Sequence, residues 1–148
     1  MNLQLHAAFE LLPEYLGWHV LLSVSALGLG LLISLPLAVA ASRSPRLRWP
    51  VLAGAGLIQT IPSLALLALF FPLLLALSAV SEGLFGRGFS ALGFLPSLLA
   101  LTLYSMLPIL RTATAGILGV DPAVREAADG VGMTPRQRLV QVELPLAT

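Results

Sequence analysis

Residue types capable of chemistry are concentrated in one polar stretch of this chain, EAADGVGMTPRQRLVQVELP, from Glu126 to Pro145. Elsewhere they are sparse. There is no cysteine, so disulfides, thiolate metal sites and cysteine nucleophiles are excluded. His6 and His19 are too far apart, and too poor in neighbouring carboxylates, to suggest a metal site. A G-x-x-x-x-G-K-[ST] phosphate loop is missing, so no nucleotide chemistry is written into these residues. Neither a catalytic nor a cofactor-binding nor a metal-ligating residue emerges. What the polar stretch and the residues just ahead of it do carry is a pair of helix-start signals, Asp121-Pro122 and Thr134-Pro135, the chemistry of docking and not of turnover.

The elements that must hold this stretch are apolar. Hydrophobic residues make up 57% of the chain and charged residues 10%, against about 25% charged in soluble domains. Mean hydropathy is +0.94. Net charge is only +1, and all 8 basic residues are arginine, without a cluster dense enough to track a phosphate backbone. Nucleic acid is therefore a poor partner, and a lipid bilayer a good solvent.

Tyr15 to Ser42, Trp49 to Ser81 and Gly88 to Leu110 contain no charged side chain, and each exceeds the roughly 20 residues needed to cross a bilayer. The expected fold is all-α and polytopic, with three transmembrane spans at about 16–42, 50–80 and 90–111 in a single membrane domain. Lipid offers backbone amides no partner, so these runs must be helical whatever their Val, Ile and Gly content. A cleaved signal peptide needs a positive start, which the first residues lack, so the first run is a retained span. Arg43, Arg46 and Arg48 lie between spans one and two, Arg87 between two and three, and Arg111, Arg125, Arg136 and Arg138 after span three. The positive-inside rule then puts the N-terminus outside and everything beyond Arg111 in the cytoplasm.

Within the spans, Pro62 and Pro72 predict a kinked or broken second helix, tolerated where protein or a water-filled cavity satisfies the freed carbonyls. Gln59, beside that break, is read as an interhelical hydrogen-bonding group, with a pathway-lining role as the alternative. Tyr104 is read as a packed aromatic, with ligand contact as its alternative. Arg111 is an anchor at the cytoplasmic interface, or the partner of acidic residues downstream. Ser23, Gly28 and Gly30 would let a neighbouring helix approach closely.

In the polar segment, about 121–145, Asp121-Pro122 supplies an N-cap and an N1 proline, and the helix should stop near Gly130 or Gly132. Thr134-Pro135 repeats the start, and Gln137 completes a capping box. Pro145 limits the second helix or marks where the chain turns back to the membrane. Such a helix-turn-helix offers a soluble partner a rigid surface, with Ala127 and Ala128 small enough for a closing groove and Glu126 free to accept a hydrogen bond. Three other readings stand beside this one: a solvated connecting loop, a membrane-anchored helix-turn-helix regulator using Arg136 and Arg138 on DNA, and a purely structural small membrane protein.

The spacing itself resembles the EAA motif of bacterial ABC-transporter permease subunits: Glu126, Ala127, Ala128, then Gly132, then Val142 in place of Ile, then Leu144 and Pro145. GLIQTIPSLALLAL (Gly56 to Leu69) and LYSMLPILRTATAGILGVDPAVREAA (Leu103 to Ala128) are similar to the branch importing glycine betaine, choline and carnitine. The resemblance implies an inner-membrane transport component without enzymatic activity or cofactor of its own. Its partners would be an ATP-binding subunit gripping the EAA segment, a second permease subunit and an extracytoplasmic substrate-binding protein. Another small solute, an amino acid among them, would fit the same fold. Permeases of this kind continue beyond the Leu-Pro with further spans, so the resemblance also implies a C-terminally truncated chain.

Overall fold

The computed structural model describes residues 2–88, 90 and 92–147, with the side chains of residues 2–8 and 85 excepted; the side chain of His6 thus lies outside the described residues. Every regular element among them is helical: α1 (Asn2–Arg43), α2 (Pro45–Thr60), α3 (Ser63–Phe85), α4 (Phe94–Gly119), α5 (Pro122–Gly130) and α6 (Pro135–Arg138), then a π-helical turn (Leu139–Glu143) and α7 (Leu144–Leu146). Three of these are long and apolar enough to cross a membrane: Phe9–Arg43, Ser63–Leu84 and Phe94–Gly119. Large apolar side chains along them are exposed, Leu64 at 79% and Leu32 at 72%. In water so much contiguous apolar surface would be a liability, whereas against lipid or further helices it is the expected exterior.

The helix boundaries differ from the charge-free runs: α1 begins at Asn2 and takes in Glu10 and Glu14, ahead of the first run, and the second and third runs differ further. The second run is divided: Trp49 to Thr60 belongs to α2, and the spanning helix starts only at Ser63. Pro62 causes the division. It holds φ −53° and ψ 140° as the N-cap residue of α3, and a proline has no N–H with which to carry a helix through from the preceding turn. Pro72, by contrast, sits inside α3 without ending it. The third run does not stop at Arg111 but continues as α4 to Gly119, because nothing between Arg111 and Gly119 breaks a helix.

The chain forms two compact units, Met1–Gly30 with Thr60–Ser105, and Leu31–Gln59 with Met106–Thr148. In the first, Trp18 and Phe94 meet edge to face, ring centroids 6.4 Å apart. The Tyr104 hydroxyl donates to the carbonyl of Ile61, at the break before α3. Gly86 closes α3 with φ 66°, its N–H returning 2.9 Å to the Glu82 carbonyl. The left-handed φ is what makes glycine suitable there.

The second unit has a small-residue core. Ala38 and Ala55 pack with Leu107 and Leu110, joining the end of α1, α2 and the middle of α4. Ala38, Ala41 and Ser34 are wholly buried, and the Ser34 hydroxyl is 3.5 Å from the Met106 carbonyl it donates to. Close helix approach in α1 is thus made by these residues. Of the three expected from the sequence, Ser23 is exposed and a Cβ added to Gly28 would meet nothing, although Gly30 is buried.

Candidate functional site

The polar segment is built by its caps. Asp121 begins α5, its carboxylate accepting the Ala123 N–H at 2.8 Å with Pro122 next in line. At the other end the Met133 N–H reaches the Ala128 carbonyl (3.1 Å) and the Gly132 N–H reaches that of Asp129 (3.0 Å). This is a Schellman closure with Gly132 at C′, and its φ of 81° is the left-handed conformation the motif requires. Thr134 then starts α6 with both bonds of the capping box to Gln137.

Beyond Arg138 the helix does not simply end. The chain widens into the π turn Leu139–Glu143 before α7 resumes with Pro145 in its first turn. Proline offers no N–H to the carbonyl four residues back and crowds it, and an i to i+5 turn just ahead gives that carbonyl room. Pro145 therefore does not limit the helix but shapes the wide turn inside it.

This turn buries Glu143, 1% exposed. Its carboxylate receives Arg43, the last residue of α1, through Nη1 at 3.3 Å and Nη2 at 2.5 Å. Arg138 Nε donates to it at 3.2 Å. Arg138 Nη1 also donates to both oxygens of Asp129 in α5. The Asp129 hydrogen bond, reinforced by the charges of Asp129 and Glu143, raises the Arg138 guanidinium above its ordinary value, so it remains a cation. A buried carboxylate is costly unless paired and hydrogen-bonded, and here two guanidiniums meet both requirements.

Another arginine fixes the other end of the segment. Arg125 Nη2 donates to the carbonyls of Ile117, Leu118 and Val120 at 3.0, 2.9 and 2.8 Å, capping α4. Arg48 does the same for α1, through Nε to Ala41 and Nη2 to Ser42.

The residues singled out from the sequence take different places in this arrangement. Glu126 and Ala127 are exposed on α5, and Glu126 has no hydrogen bond or ion pair among the described residues. Ala128, unlike its neighbour, is 5% exposed and faces inward. Val142 is half-buried, Leu144 and Pro145 exposed. Leu144 also lines an apolar groove of about 440 Å³ with Leu35, Val39, Ala113 and Ile117.

The remaining residues belong to other elements. Gln59 is exposed near the end of α2, in the second unit, whereas Pro62 and Tyr104 belong to the first. Tyr104 is half-buried, and its bond to Ile61 gives it a structural task. Arg111 is exposed inside α4, beside a recess of about 410 Å³ that Arg48 and Trp49 also line. The alternative reading of Arg111, a bridge to downstream acids, is not realised: among the described residues those ion pairs belong to Arg43 and Arg138. Among the described residues no group of histidines and carboxylates could hold a metal.

Glu143, Arg43, Asp129 and the capping role of Arg125 escaped the sequence. One signal was available. A carboxylate between Val142 and Leu144, in a chain with only 7 acidic residues, is a buried-charge candidate in need of a partner.

Comparison with known proteins bears on the whole assembly. The chain is 39% identical over 129 residues to the choline transport system permease protein OpuBB of Bacillus subtilis, covering 87% of this chain and 52% of that protein. It is 42% identical over 129 residues to the osmoprotectant import permease protein OsmW of Salmonella typhimurium, covering 87% and 55% respectively. The glycine betaine/carnitine/choline transport system permease protein OpuCB of Bacillus subtilis is 37% identical over 131 residues, 88% of this chain and 53% of that one. The chain thus spans about half the length of the curated relatives it matches. Residues 26–148, from the first span through the capped segment and its Leu-Pro, match one family model, and the chain belongs to the binding-protein-dependent transport system inner-membrane components.

Proposed function

We propose that this chain forms part of a permease subunit that imports compatible solutes, quaternary amines such as glycine betaine, choline and carnitine, driven by ATP hydrolysis in a partner. The single observation that carries this reading is the α5 surface. Glu126 and Ala127 are presented outward on a helix capped at both ends and tied to the rest of its unit by Arg125 and Arg138. A helix so fixed can receive a push from a soluble partner without yielding. The choice of solute is supported by the names of the relatives, which are permeases for choline, carnitine, glycine betaine and other osmoprotectants.

On this reading the ATP-binding subunit docks on α5, the N-terminus lies outside, and the capped segment is cytoplasmic, in keeping with the arginine distribution. A second permease subunit, the same or related, would complete the pathway, and an extracytoplasmic binding protein would deliver the solute. Arg111, beside Arg48 and Trp49, would anchor the cytoplasmic interface.

The test is ATP-dependent uptake of radiolabelled choline and glycine betaine by the full-length permease reconstituted with its ATPase and binding protein. Ala127→Trp should abolish both ATPase retention and uptake while leaving the permease folded, since Ala127 is exposed. Uptake unchanged in that variant would remove α5 as the docking surface. Sidedness can be read separately: the chain has no cysteine, so single cysteines placed at Ser44 and Ser90 should label from the cytoplasm and from outside respectively.

A further inference from the structure

The ion pairs around Glu143 join parts of the chain that are far apart in sequence. Arg43 and Glu143 are separated by 100 positions, and this contact ties the last residue of α1 to the turn after α6. Arg138 carries the connection onward to Asp129, in the helix whose outer face holds Glu126 and Ala127. Each junction is a charge-assisted hydrogen bond, and the Arg43 contact uses both guanidinium nitrogens on both carboxylate oxygens. A surface pair of this kind would yield to solvent at little cost. Glu143 does not have that option, because its side chain is 1% exposed while those of Arg43 and Arg138 are 36% and 18% exposed. Pulling α1 away from the segment would leave a desolvated carboxylate with half its partners. The two must therefore shift together or not at all.

Covalent connectivity already ties α5 to α4, through two residues and the Arg125 cap. No such connection ties it to α1. We propose that Glu143 is the positioning residue that makes α1 move with the ATPase-facing helix, so that a displacement of α5 reaches two spans instead of one. The proposal rests on the reading that α5 is the ATPase docking helix. Its chemistry is local: Glu143 touches neither solute nor nucleotide, and acts only by holding Arg43 and Arg138 in one rigid arrangement.

The experiment uses the full-length permease assembled with its ATPase and binding protein in proteoliposomes, reading three quantities: assembled complex, ATP hydrolysed, and solute imported per ATP. Glu143→Gln keeps the shape and removes the charge. It should assemble and hydrolyse ATP while importing about five-fold less solute per ATP, the lower end of ordinary coupling between sites. Arg43→Gln, at a partly exposed helix end, should show the same defect, and Arg43→Lys should recover part of it by keeping the charge without the bidentate grip. A merely structural role would lower the amount of complex and leave solute per ATP untouched. That result, or a wild-type ratio in both Glu143→Gln and Arg43→Gln, overturns the proposal. Should Glu143→Gln fail to assemble, Arg43→Gln decides alone, since Glu143 then still has Arg138. Failure of the unmutated protein to retain its ATPase or take up solute would instead strike the docking reading, and the two failures are told apart by that control.

Discussion

Arg125 and Tyr104 meet the same need in the two units of the chain, and they meet it differently. Both satisfy carbonyls freed where a helix ends or breaks, at the close of α4 and at the Pro62 break before α3. In the unit containing Leu31–Gln59 and Met106–Thr148 guanidiniums work beside hydroxyls such as those of Ser34 and Ser42: Arg125 and Arg48 donate to carbonyls, Arg43 and Arg138 to a buried carboxylate. In the unit containing Met1–Gly30 and Thr60–Ser105 the Tyr104 hydroxyl serves the break, while Thr102 and Ser105 donate their hydroxyls to carbonyls one turn back within α4. Charge is tolerated only near a membrane's edge, where a guanidinium can keep one face in water, whereas at hydrocarbon depth it costs about 3 kcal/mol or more. Four of the arginines that the positive-inside rule merely counts, Arg43, Arg48, Arg125 and Arg138, are in this protein also fasteners of the unit that holds the candidate docking helix.

The sharpest way to break this comparison is to strand the buried charge. Removing Arg43 and Arg138 together, as the double alanine variant, leaves Glu143 without a cation and should destabilise that unit by about 3–5 kcal/mol, the usual effect of orphaning a buried ion. Thermal unfolding in detergent measures it. Replacing all three by apolar residues of similar volume should recover most of the loss, because a buried network is weak evidence of net stability even where breaking it is severe. A double variant as stable as the parent would mean that Glu143 reaches water, and the contrast between the units would fail.

A smaller effect is expected at Gly132. Its φ of 81° is one that an L side chain adopts only at about 1–2 kcal/mol, yet a Cβ there would touch nothing within 4 Å. Gly132→Ala should therefore lose about that much stability from backbone strain alone, and Gly132→Asn less, since asparagine tolerates the left-handed region. Equal losses in the two would point to a steric cause that the geometry does not contain.

These two sites also show what a sequence discloses. The Gly132 turn, the Asp121 cap and the Thr134–Gln137 box were legible because each is local: a few residues and their spacing determine which N–H meets which oxygen. The apolar runs were legible for a similar reason, since solvent compels them to be helical. Glu143 and Arg43 were not, because their meeting depends on how α1 returns against a turn 100 positions later. Ala127 and Ala128 are neighbours of one type, and only packing decides that one faces out and the other in. The limits of the second span failed as well: a charge-free run records tolerance of lipid, not where one helix stops and the next begins. The one mark of that boundary was Pro62.

The smallest effect tests the other half of the comparison. Tyr104→Phe removes a hydroxyl and leaves the ring, so packing in its unit is kept while the Ile61 carbonyl loses its donor. In water such a carbonyl would be rehydrated at almost no cost. At membrane depth a lipid tail cannot replace the donor, but helices in lipid commonly find alternative partners, which holds a typical hydrogen bond there to about 1 kcal/mol. The variant should accordingly unfold at a slightly lower temperature, with a change well below that of the double arginine variant. It should leave ATPase retention unaffected, since α5 belongs to the other unit. Hydrogen exchange resolved by segment gives the stricter reading. If Tyr104 serves the break alone, faster exchange should be confined to the first turn of α3 after Ser63; a loss spreading to α5 would mean that the hydroxyl also supports the unit held by arginines, and that the two kinds of fastening are not independent.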